Sequence, residues 1–325
     1  MAIPDLAGVP VLVTGGGGFI GSHLVDALVQ HGARVRVLDN FSTGHRRNLS
    51  QVEAAVDLIE GDIRDLRACH TACGGVRLVF HQAALGSVPR SMKDPATTID
   101  VNVRGTANVF AACRDSGVTR VVYASSSSVY GDSQTLPKRE GEEGRPLSPY
   151  ALSKVMNEQL AEVFGRVFPE GPSLIGLRYF NVFGPRQDPE GPYAAVVPRF
   201  LAAVRAGKPP VVYGDGEQSR DFTFVSDVIR ANLLAAGAPE EATGWAYNVA
   251  PGFGATVNQL AVAVLSACGG GPAPVHQPSR AGDILHSRAD STRARSALDF
   301  VAEVSLETGL LSLCARGAGP GQHIV

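Results

Sequence analysis

A glycine-rich turn near the amino terminus constrains the fold of this 325-residue chain more than any other feature. Residues 9–13 form a short apolar run rich in Val, which is typical of a strand buried in a parallel sheet. Residues 14–21 contain five glycines, and Ile20, Leu24 and Leu28 then recur at helical spacing. Residues 34–38 predict a second strand. A strand, a turn, a helix and a strand in this order predict an α/β fold built on a parallel sheet.

The same unit is suited to binding a dinucleotide. The backbone can approach a pyrophosphate closely at three spaced glycines, Gly15, Gly18 and Gly21. Asp39 closes the second strand, 18 positions after the last of them, where a carboxylate can accept hydrogen bonds from the ribose hydroxyls of adenosine. That carboxylate would repel the 2′-phosphate of NADP, so the unit predicts NAD, although Arg46 and Arg47 could offset the repulsion.

Composition excludes several classes of partner. A formal charge of -2 and a pI of about 6.4 predict no general attraction to nucleic acid or to an anionic membrane. The first residues resemble no signal peptide, and the longest apolar run in the uncharged stretch 243–279 is too short to span a bilayer. The five cysteines are odd in number and scattered, and Cys69 and Cys73 lack a second ligand pair. These features predict a cytoplasmic protein without a metal site.

Tyr150 and Lys154 are four positions apart and therefore lie on one face of a predicted helix. An ammonium one turn away favours the phenolate and should lower the phenol pKa, which suits a general base near pH 7. Only four of the 29 basic residues are Lys, so a Lys beside a Tyr is noteworthy in this chain. By itself, the pair could equally be a chance feature of a helix.

The glycine spacing and the Tyr150–Lys154 pair together resemble the extended short-chain dehydrogenase/reductases, the NAD-dependent epimerase/dehydratase family. The resemblance covers residues from about 9 to 311. It implies an α/β fold, with a Rossmann doubly wound parallel sheet of seven strands and a smaller C-terminal α/β substrate domain. The implied NAD-binding domain comprises residues 1–178 and 224–250, and the implied substrate domain comprises 179–223 and 251–325.

Strands predicted at 56–59, 78–81, 121–124 and 175–179 and a long helix at 94–116 continue this alternation. The resemblance implies an NAD site formed by Gly15, Gly18, Phe19, Ile20, Gly21, Asp39, Asn40, Ser42, Thr43, Gly44, Asp62, Ile63, Gln82, Ala83, Ala84, Asn102, Tyr150, Lys154 and Tyr179. Asp62 could instead cap a helix, and both roles are compatible.

The resemblance also implies a catalytic serine, Ser126, four residues before Tyr130, which would work with Tyr150 and Lys154. A polar loop after a strand is the alternative interpretation. The implied residues for a UDP-sugar substrate are Ser87, Ser126, Ser127, Asn181, Ala195, Val196, Arg220, Arg280, Asp283 and Ser287. Arg220 could instead form a surface ion pair with Asp221.

The expected reaction is 4-epimerisation through a transient 4-keto sugar. Branches of the family that eliminate water or decarboxylate carry carboxylates where this chain has Ser127 and Ser128. Three segments most resemble the UDP-N-acetylglucosamine 4-epimerase branch, and a small Ser287 at the position facing the C2 substituent leaves room for an acetamido group. An alignment error would place His286 or Leu285 there instead.

We therefore expect interconversion of UDP-GlcNAc and UDP-GalNAc, with UDP-glucose and UDP-galactose as a second pair. The alternatives are an epimerase for UDP-glucose or UDP-glucuronate and a non-catalytic NAD-binding protein. The resemblance also implies a homodimer, in which helices 94–116 and 150–168 pair across a twofold axis.

Overall fold

The computed structural model describes residues 3–189, 194–279 and 285–315. Arg280 and Asp283, both predicted to bind substrate, lie outside the described residues. The strands are β1 Pro10–Thr14, β2 Arg34–Asp39, β3 Val56–Glu60, β4 Leu78–His81, β5 Arg120–Ser126, β6 Ser173–Tyr179, β7 Val182–Phe183, β8 Val211–Tyr213, β9 Ser219–Asp221, β10 Thr223–Phe224, β11 Ala246–Val249, β12 Gly254–Thr256 and β13 Val275–Gln277.

Seven of these strands form one parallel sheet in the order β11-β6-β5-β4-β1-β2-β3. The strands β2 and β3 lie on one side of β1, and β4, β5, β6 and β11 lie on the other. The strand order therefore reverses between β1 and β4, where a crevice opens at their carboxyl ends. Thr14 is the last residue of β1 and pairs with Leu38 on one side and with His81 on the other. The predicted Rossmann sheet is confirmed.

Helices cover both faces of the sheet. They are α1 Phe19–Gln30, α2 Leu66–Cys73, α3 Val88–Lys93, α4 Pro95–Ile99, α5 Gly105–Asp115, α6 Pro149–Val167, α7 Val196–Arg205, α8 Val225–Ala236, α9 Val257–Ala267, α10 Thr292–Leu298 and α11 Leu306–Ala315. Alternate residues of β1 enter different cores: Val11 and Val13 pack with α1 and α8, whereas Leu12 packs with α2 and α5. Both faces of the sheet are therefore buried, which explains its continuous Val-rich strands.

The long helix predicted at 94–116 has a different internal geometry. It contains a π-helical segment, Asp100–Arg104, between α4 and α5. Such a segment widens the turn locally and is frequent at functional sites. Asn102, which is fully buried, lies in this segment.

Smaller strand pairs, β8 with β13 and β9 with β12, form beside the main sheet near α7 and α9. In this region α9 packs on α11, and Cys268 forms a disulfide with Cys314. The scatter of the cysteines, on which the cytoplasmic prediction partly rests, does not prevent this pair, because helix packing brings together residues that are 46 positions apart in sequence. None of the described helices is both long enough and apolar enough to cross a membrane.

Candidate active site

The glycine turn packs so tightly that side chains cannot replace its glycines. Gly15 has φ +71°, and a Cβ there would lie 2.6 Å from the backbone nitrogen of Ala83. A Cβ on Gly21 would lie 2.1 Å from the carbonyl oxygen of Gly15. The turn can therefore bring β1, the start of α1 and the end of β4 together, with backbone amides lining the crevice.

Asp39 closes the opposite side of the turn. Its Oδ2 accepts a hydrogen bond from the backbone nitrogen of Gly17 at 2.8 Å, and its Oδ1 accepts one from Phe41 at 2.7 Å. A carboxylate oxygen can accept more than one bond, so this largely buried group can still accept from a ribose hydroxyl. Arg46 is paired with Glu60 and stacks on Phe41, so two partners already engage its guanidinium.

A cleft of about 310 Å³ follows the carboxyl ends of β1, β2, β3 and β4. Twelve predicted NAD residues line it: Gly15, Gly18, Asp39, Asn40, Ser42, Thr43, Gly44, Asp62, Ile63, Gln82, Ala83 and Ala84. The cleft wall also contains nine residues that were not predicted: Leu38, Gly61, Arg64, Leu85, Arg90, Asp94, Thr97, Thr98 and Val101. Because the predicted helix 94–116 follows the strand predicted at 78–81, its first turns are expected to begin at the carboxyl edge of the sheet, a signal that could have identified the residues near 94–101.

Asp62 is part of the cleft wall and does not cap a helix. The cap of α2 is Asp65, which accepts from the backbone nitrogen of Arg67. Asp62 instead binds the Arg64 guanidinium at 2.6 Å and accepts a bond from Asn40. The hydrogen bonds from Arg64 are the main reason that the pKa of Asp62 falls to about 2. The helix-cap interpretation of Asp62 is therefore wrong.

Ser126 and Tyr150 meet at the end of β5. The Oγ of Ser126 accepts hydrogen bonds from the backbone nitrogen of Ser128 at 3.1 Å and from its hydroxyl at 2.9 Å. Tyr150 lies in the first turn of α6, which Ser148 caps, and burial raises the pKa of its phenol while hydrogen bonding with Ser126 lowers it. Two residues 24 positions apart in sequence are thus close enough to interact.

Lys154 reaches the same place from the next turn of α6. Its Nζ donates to the carbonyl oxygen of Ala124 at 2.9 Å and lies 6.0 Å from the centre of the Tyr150 ring. Burial is the main cause that raises the pKa of Tyr150, and the bond with Ser126 opposes it. The expected lowering by Lys154 is therefore wrong for the protein alone, because the Lys154 side chain extends to β5. Burial lowers the pKa of Lys154 to about 8.

A chain of buried polar residues connects the glycine turn with α6. His81 bonds Thr14 at 2.7 Å and Thr106 at 2.9 Å. Asn102 accepts from the backbone nitrogen of Leu85 and donates to Ser153 at 3.0 Å, one residue before Lys154. Asn102 therefore fixes the loop after β4 to α6.

Tyr179, Phe19 and Ile20 flank the turn without lining the described cleft. The hydroxyl of Tyr179 bonds Gln82 and Asn232, and burial raises its pKa to about 12. Tyr179 therefore remains a protonated phenol, which can position Gln82 at the cleft.

The predicted substrate residues lie on several loops. Ser87 caps α3, Ala195 and Val196 begin α7, and Ser127 follows β5. Asn181 has φ +28° and donates to the carbonyl oxygen of Asp221.

Arg220 lies in β9, and Ser287 lies beside this strand. Arg220 bonds the carbonyl oxygens of Ser219 and Leu285, and Ser287 donates its backbone N–H to Ser219. Asp221 is fully buried and accepts from Gly252 and Ala289, so a surface ion pair between Arg220 and Asp221 is wrong.

The crevice, its amide-lined turn and the Ser126–Tyr150–Lys154 group define a Rossmann-type dinucleotide-binding protein with a hydroxyl-based site for acid–base chemistry. The model of the NAD dependent epimerase/dehydratase family matches residues 11–250. The UDP-glucose 4-epimerase of Mycolicibacterium smegmatis is 38% identical over 92% of this chain and 95% of its own length.

Two solved structures are similar throughout. The UDP-N-acetylglucosamine 4-epimerase of Methanobrevibacter ruminantium, in complex with UDP-N-acetylmuramic acid, is 36% identical with a TM-score of 0.88 over 95% of this chain and 99% of its own. The Thermus thermophilus UDP-glucose 4-epimerase in complex with NAD is 36% identical, with a TM-score of 0.85 over 96% of this chain and 100% of its own. The chain belongs to the NAD-dependent epimerase/dehydratase family, which confirms the resemblance and NAD as the cofactor.

Proposed function

We propose that this protein catalyses the NAD-dependent 4-epimerisation of a UDP-hexose. The observation that carries the proposal is the position of the buried Lys154: its Nζ donates to the carbonyl oxygen of Ala124, two residues before Ser126, and lies 6.0 Å from the centre of the Tyr150 ring. A phenol with a serine and an ammonium close to it can hold and deprotonate a third hydroxyl, which is the chemistry that oxidation of a sugar carbinol requires.

Each group has a distinct role in this mechanism. Tyr150 removes the proton from the sugar O4, while Ser126 bonds the same oxygen and holds it against the phenol. Bound NAD would supply the hydride acceptor for oxidation at C4 and the hydride donor for reduction of the resulting ketone from its opposite face. Lys154 supplies positive charge that favours the phenolate once the cofactor and substrate exclude water.

Ser127 and Ser128 favour epimerisation over elimination or decarboxylation. They occupy the positions after the catalytic hydroxyl, and neither can act as the carboxylic acid or carboxylate that those reactions use. The carboxylate of Glu158, on the same helix as Tyr150, is already bound by Arg178 at 2.7 Å. The remaining reaction of the 4-keto sugar is rotation in the site followed by reduction on its other face, which gives the 4-epimer.

For the sugar, we propose UDP-GlcNAc and UDP-GalNAc. Ser287 is small and nearly buried beside β9, and its volume permits an acetamido group at C2. The similarity to a UDP-N-acetylglucosamine 4-epimerase supports this pair of substrates. The similarity to two UDP-glucose 4-epimerases supports UDP-glucose and UDP-galactose as the second candidate pair.

Product analysis tests the proposal directly. Purified protein is incubated with UDP-GalNAc without added NAD, and the anomeric protons are followed by NMR. We expect UDP-GlcNAc to appear, because the cofactor should remain bound through purification. UDP-glucose, UDP-galactose and UDP-glucuronate form the comparison panel. Turnover of a plain hexose alone would contradict the sugar assignment, and no turnover of any UDP-hexose would contradict the epimerase assignment.

We also propose a homodimer formed through α5 and α6. Leu152, Met156 and Val163 recur on one face of α6, and each exposes more than a third of its surface. Exposed apolar residues at helical spacing are suited to pairing with a second helix. Light scattering should give twice the chain mass, and Leu152→Glu should give a monomer; a monomeric wild type would contradict the proposal.

A further inference from the structure

A buried ionic cluster lies directly behind the catalytic residues. Glu158 is one helical turn after Lys154 on α6, and its Oε1 accepts hydrogen bonds from Ser125 and from Arg178 Nε at 2.9 Å. Its Oε2 accepts from Arg178 Nη2 at 2.7 Å. Arg178 is only 6% exposed, so this bidentate pair is shielded from solvent and geometrically fixed.

Each member of the cluster is adjacent to a residue of the site. Ser125 precedes Ser126 on β5, and Arg178 precedes Tyr179 on β6. The sheet register pairs Ser125 with Arg178. The carboxylate of Glu158 therefore joins the ends of two strands to the helix that carries the general base.

Glu158 also acts on the charge of Lys154. Burial lowers the pKa of Lys154, and the negative charge of Glu158 is the opposing cause. His81 also faces Lys154, but burial lowers its pKa to about 3, so the imidazole is neutral at pH 7. Glu158 therefore helps to keep a desolvated ammonium charged.

The other charged groups of the cluster interact with Arg178. Glu143 binds its Nη1, as does the hydroxyl of Tyr130, and Glu140 lies close enough to interact electrostatically. Tyr123 lies beside Glu158 and Arg178, and burial raises its pKa, so it stays neutral. With Glu143 retained, the guanidinium keeps an anionic partner even when the charge of Glu158 is removed.

We propose that Glu158 is a positioning residue that holds Lys154 as an ammonium and fixes Ser126 against Tyr150. The role rests on the proposed epimerase function. A cluster that only stabilised the fold would contribute to unfolding temperature but would leave the protonation of Lys154 and the rate of the chemical step unchanged.

The charge of Lys154 can be measured without catalysis. The chain contains four Lys residues, so the holoenzyme labelled with ¹³C at lysine Cε should give four resolvable signals, with Lys154 assigned through Lys154→Arg. In Glu158→Gln we expect the Lys154 signal to titrate about one pH unit lower than in wild type, because a nearby opposite charge shifts a pKa by ~1 or more units and the variant removes it. An unchanged titration would overturn the proposal.

Kinetics test the positioning role. Glu158→Gln should lower kcat about twofold at pH 7 and about tenfold at pH 9 with little change in KM, because a fall of about one unit from a pKa of about 8 nearly halves the charged fraction of Lys154 at pH 7 and reduces it about tenfold at pH 9. The matched control is Glu303→Gln, which neutralises a carboxylate bonded to Arg230 at 3.2 Å outside the cluster, and it should retain wild-type kcat.

A second variant covers the case in which Glu158→Gln does not fold. Ser125→Ala removes one bond to Glu158 and retains the ion pair with Arg178. We expect a several-fold lower kcat with unchanged KM and bound NAD, and wild-type kcat would overturn the positioning role. If wild type itself turns over no UDP-hexose, the proposed function fails, and the lysine titration still decides whether Glu158 controls the charge of Lys154.

Discussion

The Nζ of Lys154 lies 6.0 Å from the centre of the Tyr150 ring and donates its hydrogen bond to the carbonyl oxygen of Ala124. In the protein alone, the ammonium is thus held at the strand that ends at Ser126, and, against the rise that burial causes, Ser126 in turn lowers the pKa of the Tyr150 phenol. Tyr150 is therefore already positioned in the protein alone, but burial keeps its phenol protonated. Its pKa falls only when cofactor and substrate occupy the site.

Tyr150→Phe should abolish most epimerase activity and leave the cofactor in place. The change removes the hydroxyl that takes the sugar proton, and loss of a general base typically lowers the rate ~10²–10⁴-fold. Turnover of the UDP-hexose and the absorbance of bound cofactor measure the two effects. A variant that retains activity would exclude Tyr150 as the base, and loss of NAD would indicate a binding role instead.

Gly15→Ala should destabilise the protein and remove NAD. The new Cβ would lie 2.6 Å from the backbone nitrogen of Ala83, in a residue that also needs a positive φ. Gly75→Ala is the matched control, since Gly75 has φ +72° and open space around its Cβ. The control should lose about 1 kcal/mol of unfolding free energy, from strain alone. Calorimetry should show a larger loss for Gly15→Ala, and equal losses would contradict the steric argument.

Asp39→Asn should weaken the preference for NAD over NADP. The amide can still accept one backbone hydrogen bond, but the negative charge that repels a 2′-phosphate is removed. Calorimetric titration of the cofactor-free protein should show the ratio of the two dissociation constants falling about tenfold, which corresponds to roughly 1.4 kcal/mol. An unchanged ratio of the two dissociation constants would show that Asp39 supports the fold of the turn and does not select the cofactor.

Ser287→Tyr should reduce turnover of UDP-GalNAc much more than turnover of UDP-galactose. A large ring at this nearly buried position would fill the volume proposed for the acetamido group and leave a plain C2 hydroxyl less affected. Leu285→Tyr is the control, because Leu285 is 69% exposed. The ratio of kcat/KM for the two sugars is the measurement. If Leu285→Tyr changes the ratio and Ser287→Tyr does not, the proposed position of the gate is wrong.

Stability should depend on pH through Asp221. Burial raises its pKa from 3.8 to about 6, with hydrogen bonds from Ala289 and Gly252 and the charge of Arg288 opposing the rise. Between these values the folded state binds more protons than the unfolded state, so stability falls as pH rises.

Asp221→Asn removes this titration. The unfolding free energy of wild type relative to the variant should therefore fall by up to about 3 kcal/mol between pH 4 and pH 7. Thermal or denaturant unfolding across this range measures the difference. Parallel stability curves would show that the carboxyl ionises in the folded protein as readily as in the unfolded chain.

Local patterns in the sequence were sufficient to predict the sheet and the cofactor turn. The Val-rich runs and Gly15, Gly18 and Gly21 act over a few residues each, since a buried strand and a close backbone approach have strict local requirements. The predicted two-domain division remains a prediction, as do the roles of Arg280 and Asp283.

The sequence by itself determined the parallel sheet, the NAD turn and the pairing of Tyr150 with Lys154 on one helix, because spacing alone dictates which residues share a face or a turn. Only the tertiary structure decided that Lys154 bonds β5, that Glu158 and Arg178 support the site, and that Cys268 meets Cys314. These contacts join residues from elements distant in sequence, so their formation and their pKa values depend on how the whole chain packs.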